Sequence, residues 1–378
     1  MDWSEEGYLA LSALNVKDGY IDFNQDVHYG NQELYDKWMT GNELHKGQVL
    51  FTTEAPMGNV AQVPDNRRYI LSQRTIAFDV KDNLLTENFF AIVLRTPTVF
   101  AYLTALSSGG TAKGVSQKSL SSVEIRLPRD LKEQEIIADT FTNLDHLITL
   151  HQRKYDKLVN VKKALLEKMF PNNGKNVPEL RFSGFTEAWE QRKLGDFCEM
   201  FNGDRGINYP KDSDMVQAGI PFVNAGDLQE GKVNLATANK ITREKFDQLG
   251  GAKIKRGDIL YCLRGTLGKN AFVDNFDEGT VASSLVDIRP KNVDSQYLFT
   301  VLNSDIEYRQ RILCDEGAAQ PNLSARNLAN FDIPVPKIEE QVKIGRYFES
   351  LSNLITLHQG KLERIQMCNY RSILYGSF

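Results

Sequence analysis

A duplicated heptad pattern is the feature that most constrains this chain. In residues 132–170, apolar or ring side chains recur at alternating steps of four and three, the spacing of a coiled-coil seam. The same steps recur 207 positions later, and the sequence LITLHQ at 147–152 is repeated at 354–359. The two predicted seams are Ile137, Phe141, Leu144, Ile148, His151, Tyr155 and Leu158, then Ile344, Phe348, Leu351, Ile355, His358, Leu362 and Ile365. The chain is therefore predicted to be an internal duplication.

Each copy is predicted to end in one long helix. No proline or glycine interrupts residues 132–170, so a helix of roughly 50 to 60 Å is possible at about 1.5 Å per residue. Lys162 breaks the first seam once. The ring positions His151 and His358 are interpreted as packing residues that fix register, because they lie on the seam.

The duplication extends into the globular parts. Lys46–Leu50 aligns with Lys255–Leu260, and Ile125–Pro128 aligns with Ile333–Pro336. Short alternating runs between Gly, Asn and Asp turn signals predict strands in both copies. One modest helix is predicted before each glycine loop, over 85–106 and over 294–313. The predicted class is α+β.

The two copies differ at their starts. Gly7 aligns with Gly219, so the first copy lacks a counterpart to about residues 185–212. Two interpretations stay open at this point. Either the chain is an N-terminally shortened product, or its first domain is missing an edge element.

Composition indicates the general class of protein. The 378 residues allow two or three domains, and 41% apolar with 25% charged residues is ordinary for a globular protein. No apolar stretch approaches the 18 or more residues of a membrane span, so no membrane is expected. The four cysteines are far apart, which predicts reduced thiols and a cytoplasmic protein. With a net charge of −4, a DNA binder would have to concentrate its basic residues on one face, or share binding with a partner.

The sequence lacks the motifs of the enzymes that would be rival interpretations. It has no Pro-Pro pair and no GxGxxG, which argues against a methyltransferase acting alone, and no GxxxxGK[ST] of a motor nuclease. Its histidines form no HxxxH or HExxH pattern, so no metal site is predicted. No catalytic residue is predicted either.

Specific segments resemble a known family. Leu180–Phe185 followed by Trp189–Gly195 resembles the start of a target-recognition domain in the specificity subunits of type I restriction–modification systems. The stretches Pro128–Gln134 and Pro336–Gln341, each leading into a seam, resemble that family's helical spacers. The glycine loops at 109–113 and 317–324 fit as well. The resemblance covers essentially the whole chain.

The resemblance implies a specific architecture. Two target-recognition domains would stand in tandem pseudo-repeat, separated by two long antiparallel coiled-coil helices. The predicted boundaries are 1–126 for the first recognition domain, 127–170 for the first helix, 171–184 for a linker, 185–334 for the second recognition domain and 335–378 for the second helix.

The resemblance also implies a function. The chain would be a non-catalytic, sequence-specific subunit that reads a bipartite target in double-stranded DNA, with the half-sites about 34 to 36 Å apart. Its implied partners are two modification (methyltransferase) subunits and, through them, restriction subunits. S-adenosylmethionine, ATP and Mg²⁺ are implied for those partners, and no cofactor for this chain. The alternatives are a coiled-coil scaffold without a DNA role, or a half-specificity protein in which only the second recognition domain is active.

Base reading needs arginines and short polar side chains on loops that reach groove edges. The second-copy candidates are Arg205, Asn224, Asp227, Arg264, Gly265, Thr266, Lys269, Gln320 and Asn322. The first-copy candidates are Ser12, Asn15, Glu54, Asn59, Lys113 and Gln117. Because Glu54 replaces Arg264, the two domains are predicted to read different half-sites.

Overall fold

The chain forms two compact units. The computed structural model describes residues 3–107, 113–171, 174–314 and 322–375. Unit 1 consists of residues 1–153 and 359–378, and unit 2 consists of residues 154–358. Each unit combines helices with several small sheets, which confirms the predicted α+β class.

Unit 1 is built on two three-stranded sheets. Its strands are β1 (Tyr8–Leu11), β2 (Tyr29–Gly30), β3 (Val49–Thr52), β4 (Val60–Gln62), β5 (Tyr69–Leu71) and β6 (Thr75–Ala77). Its helices are α1 (Gln32–Met39), α2 (Glu87–Leu94), α3 (Pro97–Leu106), α4 (Gln117–Leu120) and the first part of α5 (Leu131–Lys168). Strand β3 lies between β4 and β6, antiparallel to both. Its side chains Val49 and Phe51 are fully buried against Phe89 and Leu103, and they form the centre of the core.

Unit 2 repeats this plan with more strands. They are β7 (Glu190–Lys193), β8 (Cys198–Asn202), β9 (Met215–Val223), β10 (Leu228–Gln229), β11 (Lys232–Val233), β12 (Asn239–Ile241), β13 (Ile259–Cys262), β14 (Asn270–Phe272), β15 (Thr280–Val281), β16 (Leu285–Pro290) and β17 (Asp332–Val335). Its helices are α6 (Arg243–Gln248), α7 (Ser295–Leu302), α8 (Asp305–Cys314), α9 (Ala325–Ala329) and most of α10 (Ile338–Tyr375). The largest sheet has the strand order β10-β11-β14-β13-β16-β8.

The central strands of the two units pair in the same register. Leu260 of β13 faces Asp287 of β16, and Leu50 of β3 faces Ala77 of β6. Each residue in the second pair is 210 positions before its counterpart. The register therefore fixes which residues of the two copies correspond.

The predicted single helices over 85–106 and 294–313 are wrong, because each is two helices. In unit 1 the break precedes Pro97, the first residue of α3, and Thr96 caps that helix by accepting a hydrogen bond from the Val99 amide. Proline has no amide hydrogen to continue α2, and the two helix axes differ by 66°. In unit 2 the Ser304 hydroxyl accepts a hydrogen bond from the Ile306 amide and starts α8 in the same way.

The two long helices follow the predicted heptads. Each has 38 residues, about 57 Å at 1.5 Å per residue, and each begins shortly after the proline at 128 or 336. Every predicted seam side chain is buried or partly buried. Within unit 2 the helices run antiparallel as predicted, since Lys162 contacts Ser352 while the ring of Phe170 lies 6.3 Å from that of Phe348.

Lys162, the polar residue that interrupts the first heptad seam, is hydrogen-bonded to the opposite helix. Its Nζ donates a 2.9 Å hydrogen bond to the Ser352 hydroxyl, and burial lowers the pKa of its ammonium group. The seam therefore contains one polar layer inside unit 2.

A buried glutamine ties the start of each long helix to its own unit. The Gln134 side-chain oxygen accepts a 2.9 Å hydrogen bond from the Thr86 amide, and its nitrogen donates to the Pro128 carbonyl at 2.8 Å. Gln341 makes the same two contacts, at 3.0 Å with the Asp294 amide and at 2.8 Å with the Pro336 carbonyl. We call this arrangement the glutamine clamp. The two copies of the chain therefore share this pair of side-chain hydrogen bonds, as the duplication predicts.

Two kinds of feature are absent from the described residues. No single helix there is long and apolar enough to cross a membrane, and α2 with α3 reaches that length and composition only as a bent pair. No group of three or more His, Cys, Asp or Glu side chains is placed to hold a metal ion in the same ranges.

Candidate nucleic-acid interface

An open cleft in unit 2 brings together three of the predicted site residues. Its volume is about 490 Å³, and Arg205, Arg264 and Asn322 line it. The other lining residues are Asn202, Gly203, Leu263, Leu323, Ser324, Ala325 and Arg326. The cleft lies where strands β8 and β13 end and helix α9 begins.

Backbone pairing holds the two sides of the cleft together. The Leu323 amide donates to the Leu263 carbonyl at 3.0 Å, and Arg264 forms an antiparallel bridge with Asn322. The Arg264 Nε also donates to the Asn322 side-chain oxygen at 3.3 Å. The backbone at Arg264 is therefore held in place by its pairing with the segment that contains Asn322 and Leu323.

Arg205 is placed by a carboxylate that organises its loop. Both Asp204 oxygens accept backbone hydrogen bonds, one from the Gly206 amide at 2.8 Å and one from the Gly250 amide at 2.9 Å. These bonds, the Gly206 one first, lower the pKa of the Asp204 carboxyl. The neighbouring Arg205 donates to the Ser283 carbonyl at 3.2 Å and stays exposed.

The cleft carries a concentrated positive charge. Arg205, Arg264 and Arg326 are all exposed, and none of the described residues that line the cleft is acidic. In the part of the chain that the structure describes, none of the three forms a salt bridge. Guanidinium groups stay protonated and present several donors in a fixed planar arrangement. A net acidic chain thus presents a local surface suited to phosphates and guanine edges.

The remaining unit 2 candidates among the described residues do not line the cleft. Gly265 and Thr266 are exposed on the turn that follows Arg264, and Gly265 has φ +81°, a conformation that favours glycine. Gln320 lies outside the described residues.

Asn224, Asp227 and Lys269 form a separate group around one turn. Asp227 is 6% exposed, and its carboxylate accepts hydrogen bonds from the Asn224 amide and the Thr237 hydroxyl, both at 2.8 Å. The Lys269 ammonium donates to the Ala225 carbonyl at 3.0 Å. The hydrogen bonds that the Asp227 carboxylate accepts hold this turn in place.

Three unit 1 candidates, Ser12, Asn15 and Asn59, are engaged in internal contacts. Asn15 is fully buried, and its side-chain oxygen accepts a 2.9 Å hydrogen bond from the Ser12 hydroxyl. Asn59 donates from its side-chain nitrogen to the Val16 carbonyl at 2.8 Å. These amides hold loops in place.

The other unit 1 candidates are more accessible. Glu54 forms an antiparallel bridge with Gly114, as Arg264 does with Asn322, and lies 3.4 Å from Arg74 in a half-exposed ion pair. Lys113 and Gln117 are exposed. The acidic Glu54 therefore occupies the position of Arg264 in an equivalent backbone.

Two lining residues, Asn202 and Arg326, were not predicted from the sequence as site residues. Asn202 comes directly before the Gly203–Gly206 loop in which Arg205 was selected. Arg326 lies four residues after Asn322, in the first turn of α9, and follows the Ser324 cap of that helix. Both residues lie within four positions of a residue that was predicted, so their nearness in sequence was the available signal.

Comparison with known proteins gives this site a family context. The family model for the type I restriction modification DNA specificity domain matches residues 18–160 and 186–367. The MjaVIII type I restriction enzyme specificity subunit of Methanocaldococcus jannaschii is 24% identical over 97% of this chain and 84% of its own length. The EcoBI specificity subunit of Escherichia coli is 24% identical over 75% of this chain and 62% of its own length.

A solved structure shares the fold. The crystal structure of a type I restriction-modification system S subunit from M. genitalium matches with a TM-score of 0.57 at 16% identity, over 98% of this chain and 89% of that one. The alternatives, a coiled-coil scaffold without a DNA role and a half-specificity protein with only the second domain active, are not favoured, because the family model of the DNA specificity domain covers both globular units. The chain belongs to the family of type I restriction–modification DNA specificity proteins.

Proposed function

We propose that the cleft of unit 2 reads one half of a bipartite DNA target, and that Arg264 makes the main base contact. The observation that carries this proposal is the group of three exposed guanidinium groups that form no salt bridge among the described residues, in a cleft whose described lining has no carboxylate. Arginine pairs bidentately with guanine O6 and N7, and such a contact contributes about 1–3 kcal/mol of discrimination. The brace from Asn322 supports this role, because a fixed guanidinium loses less freedom on binding.

Arg205 and Arg326 are assigned to phosphate contacts on either side of Arg264. Phosphate contacts position a protein on the duplex, and base contacts specify the sequence. Unit 1 would read a different half-site, since Glu54 can accept a hydrogen bond from the cytosine amino group where Arg264 donates to guanine.

The experiment compares Arg264→Gln, Arg205→Gln and a control, Arg256→Gln. Arg256 is exposed, pairs with Asp277 at 2.6 Å and lies outside the cleft. Binding of the full chain, with its modification subunit, is measured on a library of duplexes at several salt concentrations. Arg264→Gln is expected to relax the preference for one base pair by about 5- to 150-fold, which corresponds to 1–3 kcal/mol.

Arg205→Gln should weaken binding to all sequences alike and reduce the salt slope by about 1. Arg256→Gln should resemble the unaltered chain. The assignment of Arg264 fails if its variant loses affinity uniformly while sequence preference is unchanged.

The partner composition is also a proposal. We propose two modification subunits for each chain, supported by two equivalent copies of the globular unit and helix, and restriction subunits that join through them. S-adenosylmethionine, ATP and Mg²⁺ would bind to those partners, in the cytoplasm. Multi-angle light scattering of the purified complex would measure the ratio, and a single modification subunit per chain at saturation would contradict it.

A further inference from the structure

A network of polar side chains lies inside unit 2, next to the turn that carries Arg264. The Tyr261 hydroxyl, on β13, donates a hydrogen bond to Glu307 Oε1 on α8. The Arg311 Nε, one turn further along α8, donates to the same oxygen at 2.7 Å. Tyr261 and Glu307 are 0% and 4% exposed. The network therefore belongs to the interior of the unit.

The network contacts the Arg264 turn at Gly268. The Gly268 amide closes the turn by donating to the Cys262 carbonyl at 3.2 Å. A methyl group added at Gly268 would lie 2.5 Å from Arg311 Nε, so the guanidinium packs directly against the backbone there. The Asn270 side-chain nitrogen donates to the Gly268 carbonyl at 2.9 Å. Arg311 and Asn270 therefore hold one end of the turn, and Arg264 lies at the other.

Unit 1 has apolar side chains at the strand positions of this network. Tyr261 pairs with Asn270 across β13 and β14, as Phe51 pairs with Val60 across β3 and β4. Phe51 and Val60 are both fully buried. The hydroxyl and the amide of unit 2 are thus replaced by a phenyl ring and an isopropyl group.

The helix positions show the same replacement. Helices α3 and α8 start at the equivalent caps Thr96 and Ser304. Three and seven residues after the cap, unit 2 has Glu307 and Arg311, and unit 1 has Val99 and Leu103. All four unit 1 counterparts, Phe51, Val60, Val99 and Leu103, belong to one core cluster and are 0–8% exposed. We call Tyr261, Asn270, Glu307 and Arg311 the polar quartet.

The strand pairing of the fold does not depend on the polar quartet. Unit 1 keeps the same register with apolar side chains, and its turn glycine packs on a ring, since a methyl group at Gly58 would lie 2.6 Å from Phe100 Cε2. Buried polar groups lose their hydration, and replacing a buried ion pair by apolar side chains of similar volume is often neutral or stabilising. What hydrogen bonds add is a fixed distance and direction between the groups they join.

We propose that Tyr261, Glu307 and Arg311 are positioning residues for Arg264, and that they determine how strongly unit 2 discriminates between bases. This inference rests on the proposed base contact of Arg264. A bidentate contact with guanine needs two N–H groups aligned with O6 and N7, and recognition groups must be held within about 0.5 Å of that geometry. The three residues act through Gly268 and the turn, without contacting DNA themselves.

The test installs the unit 1 side chains in unit 2. The triple variant Tyr261→Phe, Glu307→Val and Arg311→Leu removes one negative and one positive charge, so the net charge is unchanged. Binding of the full chain with its modification subunit is measured on the duplex library, beside Arg264→Gln. The preference for the base pair that Arg264 reads should relax about tenfold, within the range for loss of that contact. The salt slope should not change, because no phosphate contact is removed.

Two further variants separate positioning from general damage. Glu307→Gln keeps the oxygen that accepts both hydrogen bonds, so it should preserve the base preference to within about twofold. Arg309→Leu removes an arginine from the same helix, where Arg309 is exposed and pairs with Asp305, and should leave the preference unchanged. Urea unfolding verifies that each variant is folded. If the triple variant does not fold, Tyr261→Phe, which removes a single hydroxyl, should still relax the preference in the same direction.

The positioning role is overturned if Arg264→Gln relaxes the base preference while the triple variant and Tyr261→Phe retain it. It is also overturned if these variants weaken binding to all sequences alike. If Arg264→Gln itself leaves the preference unchanged, the proposed base contact fails, and the positioning role fails with it. The Arg264→Gln result therefore distinguishes failure of this inference from failure of the proposed function.

Discussion

At the loop that follows the central strand, unit 2 carries Arg264 and unit 1 carries Glu54, although the strands leading to this loop pair in the same register. Both residues form the same type of backbone bridge, with Asn322 and with Gly114. The strand pairing that leads to this loop is therefore the same in the two copies, while the exposed side chain on the loop differs in charge. The difference teaches that the charge presented by this loop can change without a change in strand pairing.

The largest effect is expected where one unit has a buried ion pair and the other does not. Arg181 and Glu340 are 12% and 1% exposed and form a bidentate pair at 2.7 and 2.8 Å. Arg181→Met leaves the Glu340 carboxylate buried without its partner, which should lower the free energy of unfolding of unit 2 by about 3–5 kcal/mol.

The matched change in unit 1 is Glu133→Gln, at the position equivalent to Glu340. Glu133 is exposed, so the expected effect is below about 0.5 kcal/mol. Urea unfolding, with hydrogen exchange to separate the two units, measures both. Equal losses in the two units would show that the comparison is wrong at this position.

The glutamine clamp provides a test in which the two units should behave alike. Gln134→Leu and Gln341→Leu each leave a backbone amide and a proline carbonyl without their side-chain partner, and Gln134→Leu also removes a 2.9 Å hydrogen bond to the Leu84 carbonyl. The expected loss is about 1–3 kcal/mol in either unit, measured by the same unfolding experiment. A large loss of stability in only one unit would contradict the expectation that the two glutamines contribute similarly to the free energy of unfolding.

Buried Asp287 of unit 2 corresponds to Ala77 of unit 1, which has no titratable group. The stability of unit 2 should therefore have a pH dependence at this position that unit 1 lacks. Burial first, and then the neighbouring Asp258 carboxylate, raises the pKa of Asp287 to about 8, and one of its oxygens has no hydrogen-bond partner among the described residues. Between about pH 4 and pH 8 the folded state holds a proton that the unfolded state has released. The contribution of Asp287 to the free energy of unfolding therefore falls as pH rises through that range.

Asp287→Asn should remove this slope. Relative to the unaltered chain, the variant should gain on the order of 1–3 kcal/mol between pH 5 and pH 8, measured by thermal unfolding of both proteins at each pH. Parallel stability curves for the two proteins would contradict the raised pKa.

Much of the fold followed from periodicity and self-similarity. The seams of α5 and α10, the strands around Ile259 and the repeat offsets were predictable, because burial imposes a regular spacing on apolar residues. The breaks before Pro97 and at Ser304 were missed, although the sequence marks both, by a proline without an amide hydrogen at 97 and by the capping residues Thr96 and Ser304.

The site was harder to predict from sequence. Arg205, Arg264 and Asn322 were selected from loop composition, and the structure places them in one cleft. Composition alone could not distinguish them from Asn15 and Asp227, which are also polar loop residues. Their amide and carboxylate groups are used inside the protein, and that distinction depends on the neighbours that the fold supplies.

The glutamine clamp has a consequence for recombination between specificity genes. A crossover just after the proline at 128 or 336 separates the globular unit from its helix, and each half keeps a complete set of donors and acceptors, because Gln134 and Gln341 bind the same backbone groups. For these two hydrogen bonds the joint is interchangeable, because either glutamine finds the same backbone groups in either unit. In unit 2 the Arg181–Glu340 ion pair also crosses the boundary, so an exchanged unit would keep the clamp and would have to replace that pair.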